Sequence, residues 1–99
     1  MELKNLEEIK TILESHREEI QRIYGLKEMG IFGSVVREEQ KETSDIDILI
    51  EPAKPMGLFE FVSLKNYLSD MLGVNVDLVM KRALKTRIGE RILKEVVYV

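Results

Sequence analysis

Apolar residues recur at three- and four-residue steps through the first quarter of the chain, in a segment otherwise rich in Glu, Lys and Arg. This spacing, with one gap, is typical of an amphipathic helix, and Gly25 is placed to end that helix. The apolar positions of the predicted helix are Leu3, Leu6, Ile9, Leu13, Ile20 and Ile23.

A short apolar run from Met29 to Phe32 is followed by Gly33 and Ser34. The run predicts a strand that leads into a tight turn. We expect Ser34 to cap one or two helical turns from Val35 to about Glu39, because its hydroxyl can accept a hydrogen bond from a free backbone N–H.

The most regular alternation in the chain lies between residues 45 and 50. Here the alternating positions are Ile46, Ile48 and Ile50 on one side and Asp45, Asp47 and Leu49 on the other. This period of two predicts a strand with one aliphatic face and a second face that carries two carboxylates. The segment from Glu51 to Gly57 contains both prolines and is predicted to be a loop.

A second amphipathic helix is predicted from Leu58 to Leu72, with Gly73 at its C-terminal cap. The apolar side of this helix consists of Phe59, Val62, Leu64, Leu68, Met71 and Leu72. We expect its aromatic residues, Phe59, Phe61 and Tyr67, to lie in the core rather than at an interface.

The last third of the chain predicts a strand from Val74 to Met80, which carries Asp77, and a helix from Ala83 to Tyr98 whose valine-rich end could also be extended. The residues of this helix expected to pack on the sheet are Ile88, Ile92, Leu93, Val96 and Val97. The element order is therefore α-β-α-β-α-β-α, which predicts a single small α/β domain over residues 1–99.

Composition narrows the class of protein. The chain has 99 residues, 44% hydrophobic and 33% charged, which suits one domain with a packed core. No apolar stretch approaches the roughly 18 residues that a membrane span needs, so we expect no membrane association. The absence of cysteine excludes disulfides, thiolate nucleophiles and cysteine-ligated zinc. No signal peptide is visible between Met1 and Lys10, so we expect a cytoplasmic protein.

Charge is distributed unevenly. The net charge of -3 and the pI near 5.2 argue against direct nucleic-acid binding by a general polyanion surface. Residues 1–50 hold seven Lys or Arg and twelve Asp or Glu (net -5), whereas residues 51–99 hold eight and six (net +2). The basic segment, which we define as Lys81 to Lys94, has six Lys or Arg and one Glu. It is consistent with a solvated helix face or with a surface for phosphate, nucleic acid or an acidic partner.

Three carboxylates form the candidate site. Asp45 and Asp47 leave the same face of a strand with their Cα atoms about 6.6 Å apart, at roughly 3.3 Å per residue. Two like charges this close repel each other unless a cation or hydrogen-bond donors offset the repulsion. If the strand that carries Asp77 pairs alongside, a third carboxylate joins them, and such an all-oxygen site favours Mg²⁺ or Mn²⁺ over zinc. The alternative is structural: Asp45 and Ser44 cap a turn, and the other two carboxylates face solvent.

The turn at Gly33 and Ser34 supports the site interpretation, because it stands twelve residues before Asp45 and directly follows a strand. Glycine lets the backbone approach a ligand closely, and free N–H groups at a helix start attract phosphate oxygens. A phosphate cradle followed by a metal-binding Asp-x-Asp strand indicates nucleoside triphosphate chemistry.

This pattern of Gly33-Ser34, ten intervening residues, Asp45-Ile46-Asp47 and a later Asp77 resembles the signature of the nucleotidyltransferase superfamily that includes DNA polymerase β. The chain's short length and its Ser44 to Asp47 context most resemble the minimal nucleotidyltransferases, which are typically antitoxins paired with HEPN-domain RNase toxins. The resemblance extends from about Leu26 to Val99. It implies a polymerase β-like fold of the α/β (α+β) class, with a small mixed sheet of about three to four strands flanked by helices.

The resemblance also implies an activity, the transfer of AMP from ATP to a tyrosine of the partner toxin. The implied nucleotide-binding residues are Gly33, Ser34, Arg37 and Ser44, and the implied ligands of two Mg²⁺ (or Mn²⁺) ions are Asp45, Asp47 and Asp77. Asp77 would also serve as general base. Arg37 could contact phosphate, pair with an Asp or be an ordinary surface residue. Many members of the family carry Arg-Gly where this chain has Arg37 and Glu38.

Two other functions remain open on the sequence. The chain has no added domain for an acceptor, so we expect the acceptor on a partner protein, with the basic segment as a docking or nucleotide-contacting surface. One alternative is an antitoxin that neutralises its partner by contact alone. The other is an enzyme that transfers nucleotides to RNA or a small molecule. Self-association is left open.

Overall fold

The computed structural model describes residues 4–41 and 44–99, so Leu3 of the predicted first helix lies outside the described residues. The helices are α1 (Leu6–Ser15), α2 (Arg17–Tyr24), α3 (Leu58–Leu72) and α4 (Thr86–Glu95), with a 3-10 turn at Lys81–Ala83. The strands are β1 (Leu26–Phe32), β2 (Ile46–Pro52), β3 (Val76–Met80) and β4 (Val97–Tyr98). This is the predicted α+β class.

The four strands form one mixed sheet in the order β3-β2-β1-β4, as the mixed-sheet prediction required. β2 runs parallel to β3 and antiparallel to β1, and β4 is antiparallel to β1. In this register Asp47 of β2 lies opposite Phe32 of β1 on one side and Asp77 of β3 on the other. The carboxylate of Asp47 therefore lies on an inner strand, with β1 on one side and β3 on the other.

One face of the sheet, which we call the core face, is entirely aliphatic. Its residues are Met29, Ile31, Ile46, Ile48, Ile50, Val76 and Leu78, all of them buried in the same hydrophobic cluster. Leu64, Leu68 and Leu72 of α3 and Ile9 and Leu13 of α1 belong to that cluster and are fully buried. The alternation predicted for β2 is confirmed, and it places Asp47 on the opposite face.

The single first helix that the sequence predicts is wrong, because the chain divides into α1 and α2 at His16. The Ser15 hydroxyl donates to the Ile12 carbonyl at 2.8 Å, and the His16 ring nitrogen Nδ1 lies 2.9 Å from the same oxygen. These side chains compete for the acceptor that the next helical N–H would use, and the helix is interrupted there. Gly25 ends α2 in a left-handed conformation, as predicted.

The one or two helical turns predicted from Val35 to Glu39 are present only as isolated turns and not as a helix. The segment is a series of turns in which Val36 and Arg37 donate to the Gly33 carbonyl and Glu39 donates to the Ser34 carbonyl. Positive φ angles at Gly33 (+83°) and Glu38 (+59°) are incompatible with a continuous right-handed helix. The order α-β-α-β-α-β-α therefore fails between β1 and β2, where no helix lies in the described residues. β2 also extends to Pro52, into the predicted loop.

The predicted bounds of α3, with Gly73 as its cap, are confirmed. The prediction that Phe59 lies in the core is wrong, since 91% of its surface is exposed. Val62 of the predicted apolar side is exposed as well. Phe61 and Tyr67 pack against the core, as expected. The third strand begins at Val76 rather than Val74. None of the described helices combines the length and the apolar character that crossing a bilayer requires.

The predicted last helix is shorter than expected and ends at Glu95, while its valine-rich end is extended as β4. The packing prediction for this helix holds only in part. Ile88 and Leu93 are exposed, by 59% and 43%, whereas Ile92, Val96 and Val97 are partly buried. Helix α4 thus covers little of the core and instead lines a cleft.

Candidate active site

The face opposite the core face carries two carboxylates at its centre, and we call it the cleft face. Asp47 and Asp77 are direct register partners across the parallel β2–β3 pair. Asp45 immediately precedes β2 and is exposed, whereas Asp47 is half-buried and Asp77 exposed. The strand pairing that the sequence argument required for Asp77 is present.

Asp47 has an unusual electrostatic environment. Burial and the negative charge of Asp77 raise the pKa of Asp47 from 3.8 to about 6, with a smaller contribution from Asp45. The Arg37 guanidinium acts in the opposite direction. Holding this carboxylate ionised beside a second one is therefore costly without a cation, and perturbed acids of this kind are frequent at functional sites.

Gly33 lies against the Asp47 carboxylate. Its backbone has a φ of +83°, and a Cβ atom there would overlap Oδ2 of Asp47 and lie 2.9 Å from its Cγ. No other residue type fits this position without moving the carboxylate. The absence of a side chain at Gly33 thus lets the backbone of the turn lie against the Asp47 carboxylate.

The loop after Gly33 presents backbone donors rather than the start of a helix. Within residues 4–41 and 44–99, the N–H groups of Ser34 and Val35 have no protein acceptor. Ser34 is half-buried, and its hydroxyl forms no capping bond to the described backbone. The phosphate cradle predicted from a helix dipole at Ser34 is therefore corrected to a turn with two free N–H groups.

Arg37 is held by two acids. Its Nη1 donates to Oε1 of Glu95 at 2.7 Å, and its Nε donates to Oε2 of Glu39 at 3.0 Å. These hydrogen bonds raise the pKa of Arg37 above its ordinary value. The sequence left open a pairing of Arg37 with an Asp, whereas the partners in the structure are the two glutamates.

Glu95 is the site residue that sequence reasoning missed. Its Oε2 accepts a hydrogen bond from the Gly33 N–H at 2.8 Å, across 62 positions of sequence. No local signal points to it, because a Glu at the end of a charged amphipathic helix is ordinary. Only the fold brings it to the glycine turn.

Ser44 has a structural partner. Its Oγ accepts from the Lys41 N–H at 2.9 Å, and its own N–H donates to the Lys41 carbonyl at 2.9 Å. Both bonds join Ser44 to Lys41, and among the described residues neither involves Asp45. They leave the predicted nucleotide contact of Ser44 without support from its hydrogen bonds.

A cleft of about 380 Å³ opens beside these residues. It is lined by Phe32, Gly33, Arg37, Asp47, Ile88, Arg91, Ile92, Lys94 and Glu95. The basic segment contributes only part of itself to this cleft, through Arg91 and Lys94. Lys81 is held elsewhere, 2.8 Å from Oε2 of Glu28 and 3.6 Å from Oε2 of Glu51.

The donor chemistry of the acids suits a hard divalent cation. Asp45, Asp47 and Asp77 offer only carboxylate oxygens, the ligands that Mg²⁺ and Mn²⁺ prefer, and the raised pKa of Asp47 marks charge that a cation would neutralise. As the side chains stand, no three His, Cys, Asp or Glu residues of the described chain are arranged to enclose an ion. The three aspartates therefore have the ligand type that the ion prefers and lie near one another, but their side chains do not surround a single point.

Comparison with known proteins gives a consistent result. The family profile described as "Nucleotidyltransferase domain" matches residues 13–99. The protein adenylyltransferase MntA of Thermococcus cleftensis is 48% identical over 99 residues, which cover 100% of both chains. A solved structure described as a proposed minimal nucleotidyltransferase matches with a TM-score of 0.81 and 32% identity, covering 98% of each chain.

A second solved structure, a toxin-antitoxin with AMP-PNP, matches with a TM-score of 0.71 and 26% identity over 91% of this chain and 70% of that one. The family profile matches most of the chain, and the Thermococcus relative is 48% identical over its whole length. The resemblance inferred from the glycine turn and the three aspartates is confirmed. The chain belongs to the nucleotidyltransferase family and is a relative of the MntA adenylyltransferases.

Proposed function

We propose that this protein is a Mg²⁺-dependent adenylyltransferase that moves AMP from ATP to a tyrosine hydroxyl of a HEPN-domain toxin and thereby acts as its antitoxin. One observation carries the proposal. Asp47 and Asp77 are adjacent across β2 and β3, and Gly33 is pressed against Asp47 at the mouth of a cleft with cationic residues. Backbone donors and acids thus meet at one point, as phosphate transfer requires.

The relatives support the nature of the donor and acceptor. The MntA relative is named for adenylyl transfer to protein, and the AMP-PNP structure is a toxin-antitoxin with an ATP analogue. At 48% identity over the whole chain, the same chemistry is the simplest expectation for this protein. ATP is therefore the proposed nucleotide and a protein hydroxyl the proposed acceptor.

The proposed reaction is an in-line displacement at phosphorus. The tyrosine oxygen forms a bond to the α-phosphorus of ATP, the bond from that phosphorus to the pyrophosphate oxygen breaks, and the hydroxyl proton passes to a carboxylate. Asp77 would take this proton, since its side chain is exposed at the cleft face and accessible to an incoming acceptor. The products are a tyrosine-AMP ester and pyrophosphate.

The chain's own residues position the nucleotide. The free N–H groups of Ser34 and Val35 would donate to phosphate oxygens, while Gly33 keeps that turn next to Asp47. Arg91 and Lys94 would add positive charge along the α4 side of the cleft. Most of the rate gain then comes from orientation and from charge already in place.

Two Mg²⁺ ions, for which Mn²⁺ could substitute, would be held by Asp45, Asp47 and Asp77. When bound, they would stabilise charge on the attacking and leaving oxygens and make the hydroxyl easier to deprotonate. Asp47, whose ionised form is unfavourable in the present environment, would be neutralised most by them. Asp45, exposed at the start of β2, would complete the set by a change of its side-chain rotamer.

The decisive assay incubates the protein with Mg²⁺, α-labelled ATP and the toxin encoded beside it, and measures label on the toxin. We expect label with the unchanged protein and none with Asp45→Asn or Asp77→Asn. Toxin neutralised by both variants without label would instead support inhibition by contact alone. Label recovered on RNA or on a small molecule, with none on the toxin, would support the third function.

A further inference from the structure

The carboxylate of Glu95 bridges the two groups that border the proposed phosphate site. Its Oε2 accepts from the Gly33 N–H at 2.8 Å, and its Oε1 accepts from Nη1 of Arg37 at 2.7 Å. The Glu95 side chain is 20% exposed and the Arg37 side chain 44% exposed, so the contact with Gly33 is partly buried and the contact with Arg37 is open to water. A carboxylate that joins a backbone N–H to a guanidinium offers the same pair of anionic oxygens that a phosphate would offer.

We infer that Glu95 is an internal occupant of the anion site, which the triphosphate of the nucleotide must displace. The inference rests on the proposed function, in which the triphosphate binds at the glycine turn, and it adds the Gly33 N–H and the Arg37 guanidinium to the groups that bind phosphate. The Gly33 N–H has one hydrogen, so it cannot donate to a phosphate while it donates to Glu95, and a phosphate beside the Glu95 carboxylate would be repelled by it. Glu95 therefore sets nucleotide affinity by competition.

The surroundings of Glu95 make the exchange feasible. Arg37 keeps Glu39 as a partner at 3.0 Å, so its charge is not left unpaired when Glu95 departs. Arg91 lies four residues before Glu95 on α4, at the spacing where helix side chains meet. Arg91 also lines the cleft, and it is the natural new partner for the released carboxylate.

Displacement would also affect the end of the chain. Glu95 is the last residue of α4, and β4 begins two residues later and pairs with β1 at Gly30 and Ile31. A Cβ atom on Gly30 would lie 2.5 Å from Cγ2 of Val96, so this junction is tightly packed against the sheet. Release of Glu95 would therefore remove its hydrogen bonds to Gly33 and Arg37 while the packing of Val96 against Gly30 is kept.

The test compares Glu95→Gln with Glu90→Gln by calorimetric titration with Mg²⁺-ATP and with inorganic tripolyphosphate, in the absence of any toxin. Glu90 is the matched control, because it lies on the same helix, is exposed and does not line the cleft described above. We expect Glu95→Gln to bind both probes about 10- to 100-fold more tightly than the unchanged protein, as loss of a charge-assisted competitor predicts. Glu90→Gln should bind within about twofold of the unchanged protein.

Equal affinity in Glu95→Gln and the unchanged protein would overturn the inference, as would an equal gain in both variants, which would indicate general charge repulsion. Because Glu95→Gln could fold poorly, the unchanged protein supplies a second test by NMR titration with tripolyphosphate. The Glu95 carboxyl resonance and the Gly33 amide resonance should shift together. A Glu95 resonance that stays in place while the probe binds, or failure of the probe to bind at all, contradicts displacement.

These outcomes separate the inference from the proposed function. Toxin labelling with unchanged affinity in Glu95→Gln would leave the transferase standing and remove the role of Glu95. Tighter binding without any labelling of toxin would leave Glu95 as a competitor for anions in a protein that does not transfer AMP to its partner.

Discussion

The same strands form both faces of the sheet, but one face packs into the hydrophobic core and the other carries the candidate active-site acids. On the core face β2 presents Ile46, Ile48 and Ile50, and the residues opposite them on β1 and β3 are apolar as well. On the cleft face the same strand carries Asp47 beside Asp77. Burial of the core face stabilises the sheet enough to tolerate two neighbouring carboxylates on the other side.

The helices repeat this contrast. Helix α3 buries Leu64, Leu68 and Leu72 completely, whereas α4 buries only Gly89. Helix α4 leaves Ile88 and Leu93 exposed and contributes Glu95 to the glycine turn. A helix that packs with a full apolar stripe supports the fold, and a helix that packs with little of its apolar surface is free to border a site.

Replacing a cleft-face acid should give the largest effect. We expect Asp77→Asn to lower the rate of AMP transfer on the order of 10³-fold, because charge stabilisation by a bound metal is worth several kcal/mol. Its melting temperature should be unchanged or higher, since the substitution removes repulsion toward Asp47. Initial rates of toxin labelling and a thermal melt check both. A rate within tenfold of normal would contradict the role given to Asp77.

The next largest effect should come from the core face. We expect Leu68→Ala to lower the free energy of unfolding by about 2 to 5 kcal/mol, because it empties a fully buried site. Phe59→Ala, on the same helix but 91% exposed, should change it by less than about 0.5 kcal/mol. Chemical denaturation measures both. Similar losses in the two variants would show that the faces of α3 are assigned wrongly.

Gly33→Ala tests the close approach of the turn to Asp47. It forces a side chain onto a φ of +83° and against the carboxylate, and we expect a loss of about 1 to 3 kcal/mol in unfolding free energy. Gly57→Ala is the matched control, because a Cβ atom there meets nothing within 4 Å. Equal stability of both variants would contradict the described packing of Gly33.

The pH dependence of stability should show the cost of ionising Asp47 in the folded protein. Its pKa of about 6 exceeds the ordinary 3.8, so between these values the folded protein binds more protons than the unfolded chain. In the absence of divalent cations the free energy of unfolding should therefore fall as pH rises from about 4 to 6. The fall is on the order of 1 kcal/mol, because water screens a half-buried carboxylate.

Asp47→Asn should lack this fall, so it should match the unchanged protein below pH 4 and exceed it in stability above pH 6. Asp70→Asn, which removes an exposed acid of α3, should retain the fall. Denaturation curves at several pH values, with a chelator present, measure all three proteins. A fall of equal size in Asp47→Asn would assign the effect to another group.

The smallest effect is expected at Glu38, which has a left-handed backbone conformation. Its φ of +59° is unfavourable for a residue with a side chain, so Glu38→Gly should raise the free energy of unfolding by up to about 1 kcal/mol. The same change within α4, Glu90→Gly, should lower it by about 1 kcal/mol. Loss of stability in Glu38→Gly would mean that the left-handed conformation at this residue is not strained.

The sequence predicts correctly those helices and strands that are determined by patterns among residues near one another in the chain. The alternation around Ile48 and the apolar spacing between Leu58 and Gly73 place β2 and α3, and the Gly33 turn with three aspartates indicates the site and the family. The rest depends on contacts that local patterns do not contain. The break at His16 follows from competition for one carbonyl, and the exposure of Phe59 follows from which helix face the sheet covers.

Glu95 is the clearest example of a residue beyond prediction, because its partner Gly33 is 62 positions away. The roles of Asp45, Asp47, Asp77, Ser34 and Ser44 in binding metal and nucleotide stay predictions. In the structure Asp47 and Asp77 are neighbours across two strands, and the Ser44 hydroxyl accepts a hydrogen bond from the Lys41 N–H.

The most direct test of the central claim is the mass of the partner toxin after incubation with Mg²⁺, ATP and this protein. We predict that intact mass spectrometry will show the addition of AMP, that peptide mapping will place it on tyrosine, and that Asp77→Asn will abolish it. An unchanged toxin mass, under conditions where the toxin is nevertheless neutralised, would contradict the account.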